Sequence, residues 1–164
     1  MKKKYLDKDE LIKKILLLKK NKKKISHCHG VFDLLHWGHI KHFDEAKSLS
    51  DVLIVTITTD KYVNKGPNRP FYNEQQRIET ISALKSVDYV YLNDERSSSN
   101  VIKLIKPNYY CKGPDYKNFK NDVTNKIRDE NLAVKKFGGK LYISKAPTFS
   151  SSNILNKHFN TLTK

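Results

Sequence analysis

Ile25-Ser26-His27-Cys28-His29-Gly30-Val31-Phe32-Asp33-Leu34-Leu35-His36-Trp37-Gly38-His39 runs from an apolar stretch through a glycine turn to two imidazoles. Ile25 to Phe32 reads as a strand. His36-Trp37-Gly38-His39 then opens an amphipathic stretch, Ile40 to Leu49, that reads as a helix. Two imidazoles three residues apart at a helix start face one way, where unpaired backbone N–H groups and the positive dipole end favour an anion. A strand, a glycine turn and such a helix start suit a chain that holds nucleotide phosphates.

The flanking sequence repeats this alternation. Asp7 or Asp9 caps a helix predicted to reach about Lys20, with Leu11, Ile12, Ile15, Leu16 and Leu18 on its apolar side. Val52–Thr58 is an apolar, β-branched strand. Glu74–Lys85 is a helix capped by Asn73, Asp88–Leu92 a strand, and Ser97–Ile105 a helix stopped by Pro107. Tyr109–Cys111 is a short strand and Asp122–Phe137 a helix closed by Gly138-Gly139. Lys140–Ser144 is the last strand and Ser151–Phe159 the last helix. Continuous apolar strands alternating with helices predict a Rossmann-like α/β fold, a five-stranded parallel sheet with helices on both faces. Such sheets bind ligands beyond the carboxyl ends of their strands. The tips of the first, second, fourth and fifth strands hold Phe32–His39, Thr59–Arg69, Lys112–Tyr116 and Ser150–Ser152, all on one edge.

At 164 residues the chain is read as a basic N-terminal helical extension, residues 1–24, and one domain, residues 25–164. Of a formal charge of +15, residues 1–24 carry +8, from eleven Lys against Asp7, Asp9 and Glu10. Only Arg69, Arg77, Arg96 and Arg128 are arginines, whereas base and phosphodiester readers favour the bidentate guanidinium. No specific nucleic acid is expected as a partner; a basic nucleic-acid-binding protein stays as a rival reading. No apolar run approaches membrane-spanning length, and the N-terminus does not read as a secretory signal. Cys28 and Cys111 fall in predicted buried strands and fit a reducing, cytoplasmic setting.

Five of the six histidines, His27, His29, His36, His39 and His42, lie within 16 residues of one another, yet no Cys pair or carboxylate stands at ligand spacing. No protein-held metal is expected. His27 and His29 read as packed strand histidines, and Trp37 and Phe32 as core packing.

Gly30-Val31-Phe32-Asp33 followed by His36-Trp37-Gly38-His39 resembles the signature of the cytidylyltransferase-like nucleotidyltransferases. The resemblance extends over about residues 25–156. Lys65-Gly66-Pro67-Asn68-Arg69-Pro70, then Glu74-Gln75-Gln76-Arg77, is similar to a segment of heptose 1-phosphate adenylyltransferase domains, as is Lys112-Gly113-Pro114-Asp115-Tyr116, with Pro114 in place of a glycine. Ser150-Ser151-Ser152 stands where the family has Ser-Thr-Thr. His36-Trp37-Gly38-His39-Ile40-Lys41 is close to glycerol-3-phosphate cytidylyltransferase. One departure is Lys145-Ala146-Pro147-Thr148-Phe149, where many relatives carry an Arg-Thr-x-Gly turn.

The resemblance implies transfer of AMP or CMP from ATP or CTP to a sugar or polyol phosphate, with release of pyrophosphate and a role in surface polysaccharide assembly. It implies catalytic roles for His36, His39, Lys65 and Arg77, with His39 at the α-phosphate and Arg77 as a clamp. Nucleotide binding would fall to Gly30, Val31, Phe32, Gly38, Lys112, Gly113, Asp115, Ser150, Ser151 and Ser152. The last three would hold the β- and γ-phosphates, and Lys112 to Tyr116 would flank base or ribose. Asp33, Asp60 and Arg69 would meet the acceptor. Mg²⁺ would arrive with the triphosphate, and a homodimer is expected. A nucleotide-binding module without turnover is the second rival.

Overall fold

The computed structural model describes residues 3–117 and 126–149. Its strands are β1 (Ile25–Gly30), β2 (Val52–Thr58), β3 (Tyr89–Asn93), β4 (Tyr109–Lys112) and β5 (Lys140–Ile143). All pair in parallel, in the order β3-β2-β1-β4-β5. The chain builds outward from β1 through β2 to β3, then crosses back to build β4 and β5 on the other side. The reversal falls between β1 and β4, so their adjacent carboxyl ends open a crevice.

The helices are α1 (Lys8–Lys20), α2 (Trp37–Ser48), α3 (Glu74–Ser82), α4 (Ser99–Ile105) and α5 (Lys126–Lys136). Phe43 and Ala46 of α2 and Ile78 and Ile81 of α3 pack with Cys28, Val55, Ile57 and Cys111 on one face of the sheet. Leu11 and Ile15 of α1 and Val101 and Ile105 of α4 cover Ile25, Ile54 and Tyr89 on the other, where Ala133 and Val134 of α5 join Ile102 and Tyr110. The Rossmann-like arrangement with helices on both faces is the one the alternation predicts.

Residues 3–24 are packed into this core. Asp7 caps α1 in a reciprocal box with Glu10, Leu6 donates to the Val90 carbonyl, and Val90 donates to the Lys4 carbonyl, so the segment covers the free edge of β3. Leu16, expected on the apolar side, is exposed. Strand β1 stops at Gly30, two residues early, because Phe32 turns to φ 50° and folds its ring back over Gly30. A Cβ at Gly30 would lie 2.9 Å from that ring, so the glycine makes room for Phe32. Helix α3 ends three residues before Lys85, and α4 begins two after Ser97. The expected first residues of the fifth helix, 122–125, and the last helix, 151–159, lie outside the described residues. Cys28 and Cys111 are buried, free and in register on β1 and β4. Among the described residues no helix is long and apolar enough to cross a membrane.

Candidate nucleotide site at the carboxyl edge of the sheet

A cavity of about 470 Å³ opens where β1 and β4 diverge. Of the residues singled out by sequence, Gly30, Val31, Phe32, His36, Gly38, His39, Lys65, Lys112, Gly113 and Asp115 line it. Asp33, Asp60, Arg69 and Arg77 do not. Ser150, Ser151 and Ser152 lie outside the described residues.

His36 caps α2, its Nδ1 accepting the His39 backbone N–H at 3.3 Å. The His36 and His39 rings stack at 3.8 Å, 15° from parallel. An Nδ1 that accepts leaves the proton of a neutral ring on Nε2. That Nε2, and Nδ1 of His39, are buried with no hydrogen-bond partner among the described residues. Burial, then the charges of His36, His42 and Lys65, push His39 down to about 3, and burial lowers His36 as well. Both rings are therefore neutral at physiological pH. They offer a donor and a second ring nitrogen at a helix N-terminus, an arrangement whose unmade bonds a ligand oxygen can complete. Lys65 stands nearby, lowered by burial first and by Arg69 next, and forms no ion pair among the described residues.

Four expected ligand contacts are instead tied up inside the protein. Arg77, expected as a clamp, is fully buried. Its Nη1 donates to the Val31 carbonyl at 2.6 Å, Nη2 to the Thr58 carbonyl at 2.8 Å and to Asp60 at 2.6 Å, and Nε to the Tyr72 carbonyl at 3.1 Å. Asp60 also accepts the first N–H of α3 from Glu74, whose carboxylate accepts the Asp60 N–H in return. Asp33 pairs with Arg69 at 2.7 Å and accepts the Tyr72 N–H at 3.0 Å. Burial would raise the Asp33 carboxyl, but these N–H donors and Arg69 hold it below the usual range. An enclosed charge needs a partner, and each of these finds one within the chain, although Nη2 of Arg69 is buried with no hydrogen-bond partner among the described residues. They brace the loops after β1 and β2 that carry Phe32 and Lys65.

At the end of β4, Lys112 is ion-paired with Glu130 at 2.9 Å, and Glu130 accepts the Ser98 hydroxyl. Burial opposes the Lys112 charge, but Tyr110 and Glu130 hold its pKa above the ordinary value. Glu45 of α2 accepts the Tyr142 and Ser144 hydroxyls at 2.6 and 2.7 Å and the Lys145 N–H at 3.0 Å. It thereby pins the loop Ala146–Phe149 over the start of α2, where a Cβ on Gly38 would lie 2.7 Å from the Pro147 carbonyl. The loop uses the Lys145 backbone, and the Lys145 side chain does not line the cavity. Trp37, expected in the core, is 53% exposed and meets Phe149 edge-on, 5.9 Å between ring centres. Sequence reasoning passed over Glu45, Ser98, Glu130 and Phe149. Glu45 and Glu130 sit in charged helical stretches that read as solvated faces, and nothing local marks their distant partners.

His27 is a packed strand histidine, as expected, bonded to Thr56 at 2.8 Å; His29 shares that hydroxyl and also lines the cavity. Among the described residues no group of three or more His, Cys, Asp or Glu is placed to hold a metal.

A family model described as cytidylyltransferase-like matches residues 27–157. The bifunctional protein HldE of Aliarcobacter butzleri is 43% identical over 120 residues, which cover 72% of this chain and 25% of that protein. HldE of Methylobacillus flagellatus is 36% identical over 152 residues, 91% of this chain and 30% of that protein. The chain thus spans 25–30% of the length of these relatives. Among solved structures, a lipopolysaccharide core biosynthesis protein from Thermoplasma volcanium superposes with a TM-score of 0.60 and 27% identity, covering 78% of this chain and 99% of that one. A pantoate-beta-alanine ligase from Francisella tularensis, TM-score 0.56, is 19% identical, covers 98% of this chain and 79% of its own, and shares the fold.

Proposed function

The chain belongs to the cytidylyltransferase-like family of nucleotidyltransferases, and from that premise we propose that it transfers AMP or CMP from ATP or CTP to a sugar or polyol phosphate, releasing pyrophosphate. The observation that carries this reading is the stacked His36–His39 pair at the start of α2, with two buried ring nitrogens lacking partners at the cavity wall.

In this reaction an acceptor phosphate oxygen attacks the α-phosphorus, and the α–β bridging oxygen leaves with pyrophosphate. No protein nucleophile is required. The protein contributes alignment and donors aimed at the oxygens where charge grows. His36 Nε2–H donates to a triphosphate oxygen; His39, beside it, faces the α-phosphate. Lys65 neutralises charge on the phosphates from the loop after β2. Gly113 and Asp115, after β4, flank the base or ribose, and Ser150 to Ser152 receive the β- and γ-phosphates. Mg²⁺ would accompany the triphosphate as part of the substrate, since a hard cation favours phosphate oxygens. The relatives named HldE and the lipopolysaccharide core protein support a sugar phosphate as acceptor and a place in surface carbohydrate synthesis. A cytoplasmic location and a homodimer complete the reading, to be checked by cell fractionation and light scattering.

The test is pyrophosphate release, with ATP and CTP each combined with sugar 1-phosphates and polyol phosphates. Turnover with one pair, abolished in His36→Ala and His39→Ala, supports the proposal; no pyrophosphate from any pair overturns it.

A further inference from the structure

We infer that Glu130 sets what the β4 side of the cavity accepts: by neutralising Lys112 it reserves that side for an uncharged, hydroxyl-bearing part of the ligand and leaves phosphate to the histidine side. The inference rests on the nucleotidyl-transfer reading above. Lys112 and Glu130 are 8% and 4% exposed at their side chains and 2.9 Å apart. Glu130 also holds the Ser98 hydroxyl, which meets the Tyr110 hydroxyl at 3.1 Å. The Lys112 ammonium lies 4.6 Å from the centre of the Tyr116 ring and 5.4 Å from that of Tyr110. Its charge is thus matched by a carboxylate and two ring faces before any ligand arrives.

A phosphate approaching Lys112 would meet the Glu130 carboxylate as well, and like charges in an enclosed site repel strongly. Among the described residues lining the cavity, Asp115 and Glu130 are the carboxylates, and both belong to the stretch from β4 to α5. The histidine side has Lys65 and two neutral imidazoles with no lining carboxylate. The two sides thus differ in kind. One lacks negative charge and suits an anion; the other carries both lining carboxylates beside the paired Lys112 ammonium and a hydroxyl, which suit the hydroxyls of a ribose, sugar or polyol.

The test uses the full chain, with inorganic pyrophosphate titrated by calorimetry. Glu130→Gln leaves Lys112 without its counter-charge, so pyrophosphate should bind about tenfold more tightly or at a second site. The Lys112→Met/Glu130→Gln double variant should return to the parent affinity. Unchanged or weaker binding by Glu130→Gln overturns the inference, as does a double variant about tenfold weaker than the parent. If Glu130→Gln does not fold, the double variant, which leaves no unpaired charge, decides: parent-like affinity supports the inference, and a tenfold loss on the same scale overturns it. A parent chain that binds no pyrophosphate counts against the proposed function, while a site created by Glu130→Gln would still uphold this inference. Steady-state kinetics of Glu130→Gln with triphosphate and acceptor varied in turn then identify whose hydroxyls use the site. A raised KM for the triphosphate points to the ribose, one for the acceptor to the sugar or polyol, and a change in neither overturns the assignment.

Discussion

Arg77 and His39 reach the same rim of the sheet from different helices, and the protein treats them oppositely. Around Arg77 every guanidinium nitrogen has an oxygen to bond, from Val31, Thr58, Tyr72 and Asp60. Around His39 the buried Nδ1 has none among the described residues, and neither has Nε2 of the stacked His36. A buried polar group bonded from within is part of the frame. One left unbonded at a cavity wall costs stability that a ligand can restore. Residue type alone does not separate the two cases, since arginine is as common a phosphate ligand as histidine.

The contrast can be broken first at the histidines. His36→Ala or His39→Ala should lower pyrophosphate release about 10²- to 10⁴-fold, with the fold intact by far-UV circular dichroism. Unaltered release from both variants would place these rings with the frame. Arg77→Met should act on stability instead. It strips donors from four oxygens, so urea unfolding should show a loss of about 3 kcal/mol; a variant as stable as the parent would deny Arg77 its bracing role.

Lys65→Ala sharpens the same division. With no ion pair among the described residues to lose, the variant should melt like the parent while the half-saturating triphosphate concentration rises about tenfold. A drop in melting temperature without that rise would assign Lys65 to the loop brace. The gentlest probe is pH. His39 and His42 titrate at about 3 and about 4 in the folded chain, against an ordinary 6.5. Below that ordinary value the unfolded chain takes up the protons first. Stability present above pH 6.5 is therefore lost as pH falls toward 4 and then 3, by about 1 kcal/mol per pH unit for each ring. Urea midpoints measured from neutral pH downward check this, and a flat profile would mean that the rings are already solvated.

Much of the frame was legible in the residues. Val52–Thr58 is a strand with the boundaries its β-branched run predicts, and Asn73 caps α3 as expected. His36 and His39 come together because a cap and the third residue of a helix are neighbours whatever the rest of the chain does. The misreadings share one cause. Asp33, Arg69 and Arg77 have ligand-binding chemistry and lie on the correct edge, but the fold pairs them within the chain, Asp33 with Arg69 and Tyr72 36 and 39 residues away, and Arg77 with Thr58 and Val31 19 and 46 residues away. Trp37 has the composition of a core residue, yet it follows the cap and is 53% exposed, meeting Phe149 edge-on and the Lys41 ammonium over its ring.

From sequence alone follow the alternation of parallel strands and helices, the edge that carries the site, and the histidine pair at its centre. Each is written in contiguous residues, through periodicity, capping and the glycine turn. Tertiary structure decided which charges remain for a ligand. Glu45 grips Tyr142 from 97 residues away, Lys112 is neutralised by Glu130, and Arg77 is enclosed by two loops. The physical reason is that a buried charge takes whatever partner packing brings within about 3 Å, and that partner is chosen by the fold rather than by the neighbouring residues.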